Sequence, residues 1–202
     1  MNQSEAGHIE AECLEADYLV VGAGAMGMAF TDVLMTETNA TVIMVDRNHK
    51  PGGHWTTAYP FVRLHQPSAF YGVNSKPLGE NKIDQVGFNK GLYELASAQE
   101  VVSYFEQVMR EQFLPSGRVR YFPMCDYEGD GRFVSCISGE VTKVKAGKIV
   151  DSTYMNVTVP SMRPPPFPVA NSMTCLPVSY THLRAHETGR NIVCRLQLEK
   201  KK

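Results

Sequence analysis

Three glycines near the start of the chain, Gly22, Gly24 and Gly27, have the spacing of a turn that binds a pyrophosphate. Gly22 permits a sharp turn after a strand, and Gly24 lacks a Cβ, so that a phosphate group can approach the backbone. Gly27 allows the following helix to pack closely against the strand. The N–H groups at the start of that helix, at Ala25 and Met26, would then bind the pyrophosphate with the help of the helix dipole.

An acidic residue follows this turn at the distance where such sites bind a ribose. Asp46 lies 19 residues after Gly27, and the pattern places the ribose-binding acid about 20 residues on. Its carboxylate can accept hydrogen bonds from the ribose hydroxyls, and its charge would repel a 2′-phosphate. The sequence therefore predicts a dinucleotide site that disfavours NADP.

The elements that must position these residues form a strand–helix–strand unit. An apolar run at 17–21 predicts a strand buried on both faces, 26–36 has helical character, and 41–45 predicts a second buried strand. A unit of this kind implies a parallel pair of strands joined by a right-handed crossover. We therefore expect an α/β fold, specifically a Rossmann-like domain with a parallel sheet.

A second helix is predicted beyond a long loop region. Residues 47–92 are rich in Gly, Pro, Asn and His and indicate functional loops with short helical turns. Ser97 and Glu100 form a capping-box pattern at a helix start, and residues 115–117 end that helix. Its apolar residues recur at helical spacing, which predicts one buried face: Val101, Val102, Phe105, Val108, Met109 and Phe113.

The last part of the domain is predicted to be β-structure. Residues 119–124 are a third strand candidate. Short strands at 132–137, 140–145 and 148–153 are separated by glycines, which indicates tight turns and a small antiparallel meander.

Composition narrows the class of protein. The chain has 202 residues and a net charge of −1, so no overall charge favours nucleic acid or an anionic membrane. Its five cysteines form no Cys-x-x-Cys pair, which argues against a disulfide framework or a metal site and suits a reducing compartment. Residues 1–16 are polar and acidic, without the features of a secretory signal, and are predicted to be disordered. We therefore expect a cytoplasmic protein with a small-molecule substrate of unknown identity.

The segment after Asp46 resembles flavin-containing and Baeyer–Villiger monooxygenases. In those families an acid is followed by a short loop and a Gly-Gly-x-Trp motif, as at residues 52–55 here. Residues 59–71 are similar to the families' Tyr-Pro-Gly-x-Arg-x-Asp-x-Pro-Ser-x-x-Tyr stretch, although Phe61 replaces the glycine and His65 replaces the aspartate. The resemblance spans 17–71 and continues more loosely to about residue 168. It implies a flavin site, while the two departures argue against the specific Baeyer–Villiger reaction.

This resemblance implies that the cofactor is FAD and that residues of the second motif contact it. Glycines 52 and 53 would let a loop fold against the pyrophosphate, and Trp55 would pack near the isoalloxazine. Arg63 and Gln66 offer hydrogen-bond donors to flavin carbonyls or phosphate. The complete set of predicted cofactor-binding residues is Gly22, Gly24, Ala25, Met26, Gly27, Asp46, Arg47, Gly53, His54, Trp55, Arg63 and Gln66. Structural roles for single residues, such as Trp55 in an ordinary core, remain open.

The resemblance also implies a parent protein that is an FAD-dependent, monooxygenase-like oxidoreductase with NAD(P)H as electron donor. Family members bind NAD(P)H through a second glycine motif later in the chain, and none occurs before Leu176. We therefore expect the present chain to be inactive by itself, and no catalytic residue is predicted. Two alternatives stay open: an NAD-binding dehydrogenase domain, for which no Tyr-x-x-x-Lys pair is found, and a non-catalytic nucleotide-binding module.

Residues 178–202 resemble a translated sequencing adapter rather than a natural sequence. This segment holds six Lys or Arg and two Glu, so the remainder of the chain is mildly acidic. We accordingly expect the FAD-binding domain to cover 17–176 and to be incomplete, with 177–202 as an artefactual tail. The alternative is a genuine basic tail that binds nucleic acid or membrane.

Overall fold

The computed structural model describes residues 13–58 and 60–153, together with positions 168 and 170. Its framework is one six-stranded sheet in the order β3-β2-β1-β6-β5-β4. The strands are β1 (Cys13–Val21), β2 (Val42–Asp46), β3 (Val119–Pro123), β4 (Cys125–Gly129), β5 (Arg132–Ser135) and β6 (Val141–Asp151). The pairs β3-β2, β2-β1 and β1-β6 are parallel, and β6-β5 and β5-β4 are antiparallel. The predicted Rossmann-like α/β fold with a small antiparallel meander is confirmed.

Helix α1 (Ala25–Glu37) connects β1 to β2, as the apolar pattern predicts. Helix α2 (Ala98–Val108) begins at Ser97, whose side chain accepts a hydrogen bond from the Glu100 N–H while Glu100 bonds back to the Ser97 backbone. All six residues of the predicted apolar face are buried. The chain then continues through a π-helical turn (Met109–Phe113) and a 3₁₀ turn (Leu114–Ser116). This helical segment ends at Gly117, which has φ of 68°.

The sheet separates two groups of buried side chains, because alternate residues of a strand point to opposite faces. Val20, Val42 and Met44 face the larger core, which contains the buried side of α2. Leu19 and Ile43 face a smaller core, to which β5 contributes Phe133. The central strands are therefore buried on both faces. Because they run parallel, their carboxyl ends lie at the same edge of the sheet.

Strand β1 begins four residues earlier than predicted, so the assignment of residues 13–16 to a disordered N-terminus is wrong. These residues pair in register with β6, from Cys13 opposite Lys143 to Ala16 opposite Ala146. Leu14 is buried while its neighbours Cys13 and Glu15 are exposed. This half of the strand has one solvent-facing side, and its exposed side chains interrupt the apolar run from which a buried strand is predicted. Residues 1–12 lie outside the described residues.

Strand β6 corrects a second prediction, since the two short strands at 140–145 and 148–153 are one continuous strand. Its first residues pair antiparallel with β5, and the remainder runs parallel to β1. Gly147 does not form a turn. A Cβ at this position would lie 2.9 Å from the carbonyl oxygen of Asp17, so glycine is required by the close approach of the two backbones.

Candidate dinucleotide-binding site

The glycine turn leaves β1 and enters α1 with the geometry that the motif predicts. Gly22 has φ of +99°, a conformation that L side chains rarely adopt. Gly24 is the residue before the first turn of α1 and has extended backbone angles. No side chain caps this helix start, and its first turn contains no acidic residue. The start of α1 is therefore suited to an anion, because its first N–H groups have no intrahelical acceptor.

Gly27 brings the helix against the strand end. A Cβ at Gly27 would lie 2.0 Å from the carbonyl oxygen of Gly22 and 2.7 Å from Ser152 Oγ. No side chain fits at such distances, so the close helix–strand packing predicted for this glycine is present.

Asp46 lies directly against the glycine turn. Its side chain is buried, its Oδ2 accepts a hydrogen bond from the Ala23 N–H at 2.5 Å, and its Oδ1 accepts one from the Asn48 N–H at 2.7 Å. The carboxylate thus joins the end of β2 to the turn after β1. A ribose-binding acid is expected at the end of the second strand, where Asp46 lies. Its binding of a ribose remains a prediction.

The second glycine motif folds onto the first. The Gly52 N–H donates a hydrogen bond to the Ala23 carbonyl at 2.9 Å. Gly53 has φ of +57°, and a Cβ there would lie 2.9 Å from the Cα of Gly24. The loop after Asp46 therefore needs glycine at position 53, because its backbone touches that of the glycine turn.

Trp55 lies in the core rather than on the open side of the loop. It belongs to a 3₁₀ turn (Gly53–Thr57), and its Nε1–H donates a hydrogen bond to the Tyr71 hydroxyl at 2.5 Å. The two rings meet edge to face at a centroid distance of 5.7 Å. His54 packs beside Trp55 at 5.1 Å, and its partial burial lowers the pKa of the imidazole. The indole therefore fixes the shape of the loop that covers the glycine turn.

Two further predicted contact residues, Arg63 and Arg47, have protein partners away from the glycine turn. Arg63 is exposed and donates a hydrogen bond from Nη1 to the Leu95 carbonyl at 2.9 Å. Gln66 is half-buried in the loop before the 3₁₀ turn at Ser68–Phe70. Arg47 donates from Nε and Nη2 to Asp126 at 3.1 and 2.8 Å. Of the predicted residues, the structure brings together the glycine turn, Asp46 and Gly53.

Ser152 is a site residue that the sequence analysis missed. It follows β6, and its Oγ lies within hydrogen-bond distance of the carbonyl oxygens of Val21 and Gly22, at 2.6 and 2.8 Å. Its backbone N–H also donates to Val21 O. The assignment of this segment to a separate meander hid the contact. In open parallel sheets a ligand crevice forms outside the carboxyl ends of the strands, at the point where the strand order reverses. Strand β6 lies beside β1 on the side away from β2, so its end contributes to that region.

Replacing Ser152 by alanine is expected to lower the free energy of unfolding by about 1 kcal/mol, because a hydrogen bond that holds the turn is lost. Urea unfolding followed by the fluorescence of Trp55, the single tryptophan, measures this change. Ser138→Ala, on the exposed turn between β5 and β6, is the matched control. Equal unfolding midpoints for the two variants would contradict the assigned role of Ser152.

The hydroxyl of Tyr121, on β3, is buried and has no hydrogen-bond partner within the described residues. Burial raises the pKa of this phenol, and the nearby carboxylates of Asp46 and Glu106 raise it further. The hydroxyl therefore stays protonated and is an unsatisfied donor.

No group of three or more residues that could hold a metal ion occurs in the described part of the chain. None of the helices in that part is long and apolar enough to span a membrane.

Comparison with known proteins gives a family model for the site region and longer relatives. Residues 20–74 match the model of the NAD(P)-binding Rossmann-like domain. Uncharacterized proteins of Mycobacterium tuberculosis and Mycobacterium bovis are 59% identical over 166 residues, which is 82% of this chain and 31% of each relative. The chain thus spans about a third of the length of the curated relatives it matches.

The solved structures that this chain resembles include two monooxygenases. A flavin-containing monooxygenase from Stenotrophomonas maltophilia is 17% identical with a TM-score of 0.49, and the match covers 69% of this chain and 38% of that one. A cyclohexanone monooxygenase from a Rhodococcus species, bound to NADP+, is 22% identical with a TM-score of 0.45, covering 70% of this chain and 26% of that one.

Proposed function

We propose that this chain is the FAD-binding portion of a flavin-dependent NAD(P)H oxidoreductase of the monooxygenase type. The observation that carries the proposal is the contact between the two glycine motifs. Gly53 touches the Cα of Gly24, and Gly52 donates a hydrogen bond to Ala23. The loop after Asp46 therefore lies on the turn that would hold the pyrophosphate. An NAD-binding dehydrogenase domain leaves this second loop unexplained, whereas the resemblance in residues 46–71 accounts for it.

The residues present fit a bound dinucleotide. A Cβ added at Gly24 would meet only the backbone of Gly53, at 3.5 Å and beyond, so the approach to Gly24 is otherwise clear of described atoms. The uncapped start of α1 would hold the pyrophosphate, and Asp46 would accept hydrogen bonds from the ribose. The unpartnered hydroxyl of Tyr121, on the neighbouring strand β3, is a further donor.

FAD, when bound, supplies hydride acceptance and the reaction of the reduced flavin with oxygen. The residues described here bind and orient the adenosine and pyrophosphate part. The electron donor, the substrate and the oxygen chemistry belong to the longer protein, since the matched relatives extend well beyond the region shared with this chain. NAD(P)H as donor and a monooxygenase-like reaction are therefore proposed for the parent protein, and we propose no turnover by this chain alone.

Titration of the purified chain with FAD tests the proposal. Quenching of flavin and Trp55 fluorescence should report saturable binding. FMN is the matched control, because it carries the isoalloxazine without the adenosine and the pyrophosphate linkage. We expect FAD to bind at least about tenfold more tightly than FMN, a difference of about 1.4 kcal/mol. Equal binding of FMN and FAD, or no binding of FAD, would contradict the assignment.

A second candidate is an NAD-binding domain, favoured by the match of residues 20–74 to an NAD(P)-binding family model. Asp46 suits the adenosine ribose of either dinucleotide. Competition between FAD and NAD+ in the same titration separates the two candidates. Displacement of FAD by equimolar NAD+ would favour the dehydrogenase domain.

A further inference from the structure

The loop that follows Asp46 carries two basic side chains, and each is paired with a carboxylate from another element. Arg47 donates two hydrogen bonds to Asp126 Oδ1, on β4, and both side chains remain largely exposed. Lys50 Nζ lies 3.7 Å from Oε1 of Glu106, on α2. Neither pairing is local in sequence, so the fold itself brings a carboxylate to each cation.

These pairs lie around the end of β2, where the acid of the site stands. Arg47 directly follows Asp46, and the Asn48 N–H bonds to the Asp46 carboxylate. The carboxylates of Asp46 and Glu106 both raise the pKa of the Tyr121 phenol. The two cations of the loop that follows Asp46 are thus engaged by the carboxylates of Asp126 and Glu106.

We propose that Asp126 and Glu106 are specificity-determining residues, which hold Arg47 and Lys50 so that the site accepts a ribose with a free 2′-hydroxyl and rejects a 2′-phosphate. This inference rests on the proposed dinucleotide site. It goes further than repulsion by Asp46, because it explains why an arginine next to the ribose-binding acid does not create a 2′-phosphate site. In other dinucleotide folds an arginine near this position accommodates that phosphate.

The physical reason is competition for the guanidinium. Arginine binds carboxylates and phosphates through the same planar set of donors. With Nε and Nη2 committed to Asp126, Arg47 can offer that planar pair of donors to a 2′-phosphate only by breaking the ion pair, and the carboxylate of Asp126 also repels the phosphate. A protein that also encounters NADPH benefits from this arrangement, since NADPH would be excluded from a site meant for FAD.

Binding of ADP-ribose and 2′-phospho-ADP-ribose tests the proposal, because these probes differ only in the phosphate. Calorimetric titration of the full chain should show ADP-ribose bound at least about tenfold more tightly. Asp126→Asn and Glu106→Gln, alone and combined, should each reduce that preference about threefold to tenfold, through tighter binding of the phosphorylated probe. Adding Arg47→Gln to Asp126→Asn should restore the wild-type preference, which a merely structural role of Asp126 would not do.

Glu128→Gln is the matched control, since it makes the same change of net charge on β4 and removes an exposed pair with Arg132. It should leave the preference unchanged. Equal affinity of the wild-type chain for both probes would overturn the proposal, as would a preference unmoved in the Asp126 and Glu106 variants. If neither probe nor FAD binds the wild-type chain, the dinucleotide site itself is wrong, and that outcome is distinct from a loss of selectivity.

Discussion

Replacement of Gly24 by alanine is expected to weaken FAD binding about a hundredfold, or about 2.7 kcal/mol, while the fold is retained. The backbone of Gly24 has φ of −76° and ψ of −178°, which alanine adopts without strain. The added methyl would meet Gly53 at 3.5 Å, an ordinary contact distance. The protein therefore tolerates the methyl group, whereas a pyrophosphate held by the first N–H groups of α1 would have to occupy the same space.

Two measurements on the Gly24→Ala variant separate these effects. Flavin fluorescence titration gives the dissociation constant for FAD, and urea unfolding gives the free energy of unfolding without ligand. Gly139→Ala, on the turn between β5 and β6 with open space around its Cβ position, should leave the FAD affinity unchanged. Undiminished FAD affinity in Gly24→Ala would show that the pyrophosphate does not approach this residue.

Replacement of Gly27 by alanine is expected to act in the opposite way and destabilise the fold. Its Cβ would lie 2.0 Å from the Gly22 carbonyl oxygen, which is a backbone atom at the end of a buried strand. Overpacking in a well-packed region costs about 1–3 kcal/mol, and here no flexible side chain can give way. We expect a loss of about 3 kcal/mol or more, a large fraction of the roughly 5–15 kcal/mol that stabilises a domain.

Urea unfolding followed by Trp55 fluorescence also measures this loss. Gly139→Ala again provides the comparison, because its φ of +71° imposes backbone strain in open space, at a cost of about 1–2 kcal/mol. The Gly27 variant should be clearly less stable than the Gly139 variant. Equal unfolding midpoints would mean that α1 can move away from β1 at little cost, and the close packing would then not be a requirement of the fold.

The two glycines show how one sequence motif contains positions of different kinds. The spacing of Gly22, Gly24 and Gly27 identifies the turn, but it does not say which glycine serves the fold and which serves the ligand. That distinction depends on the neighbours of each Cβ position. The carbonyl oxygen of Gly22 blocks any side chain at position 27, whereas the Cβ position of residue 24 meets only Gly53.

Local sequence patterns are enough to predict the strand–turn–helix unit, the acid at position 46 and the start of α2 at Ser97. These features depend on apolar periodicity, on backbone angles that only glycine adopts easily, and on hydrogen bonds between residues three positions apart. Such interactions act over short stretches, so that the residue types and their spacing are sufficient to predict them. The same holds for the buried face of α2, because its residues recur at the helical period.

Which distant segments complete the site depends instead on the tertiary fold. Ser152 bonds to the glycine turn across 130 positions of sequence, and β6 pairs with β1 through residues 13–16, which gave no strand signal. The partners of Arg47 and Lys50 likewise come from β4 and α2. Contacts of this kind follow from the parallel sheet, which gathers the ends of β1, β2 and β6 at one edge. The glycine turn is thus encoded locally, and its surroundings are set by the fold.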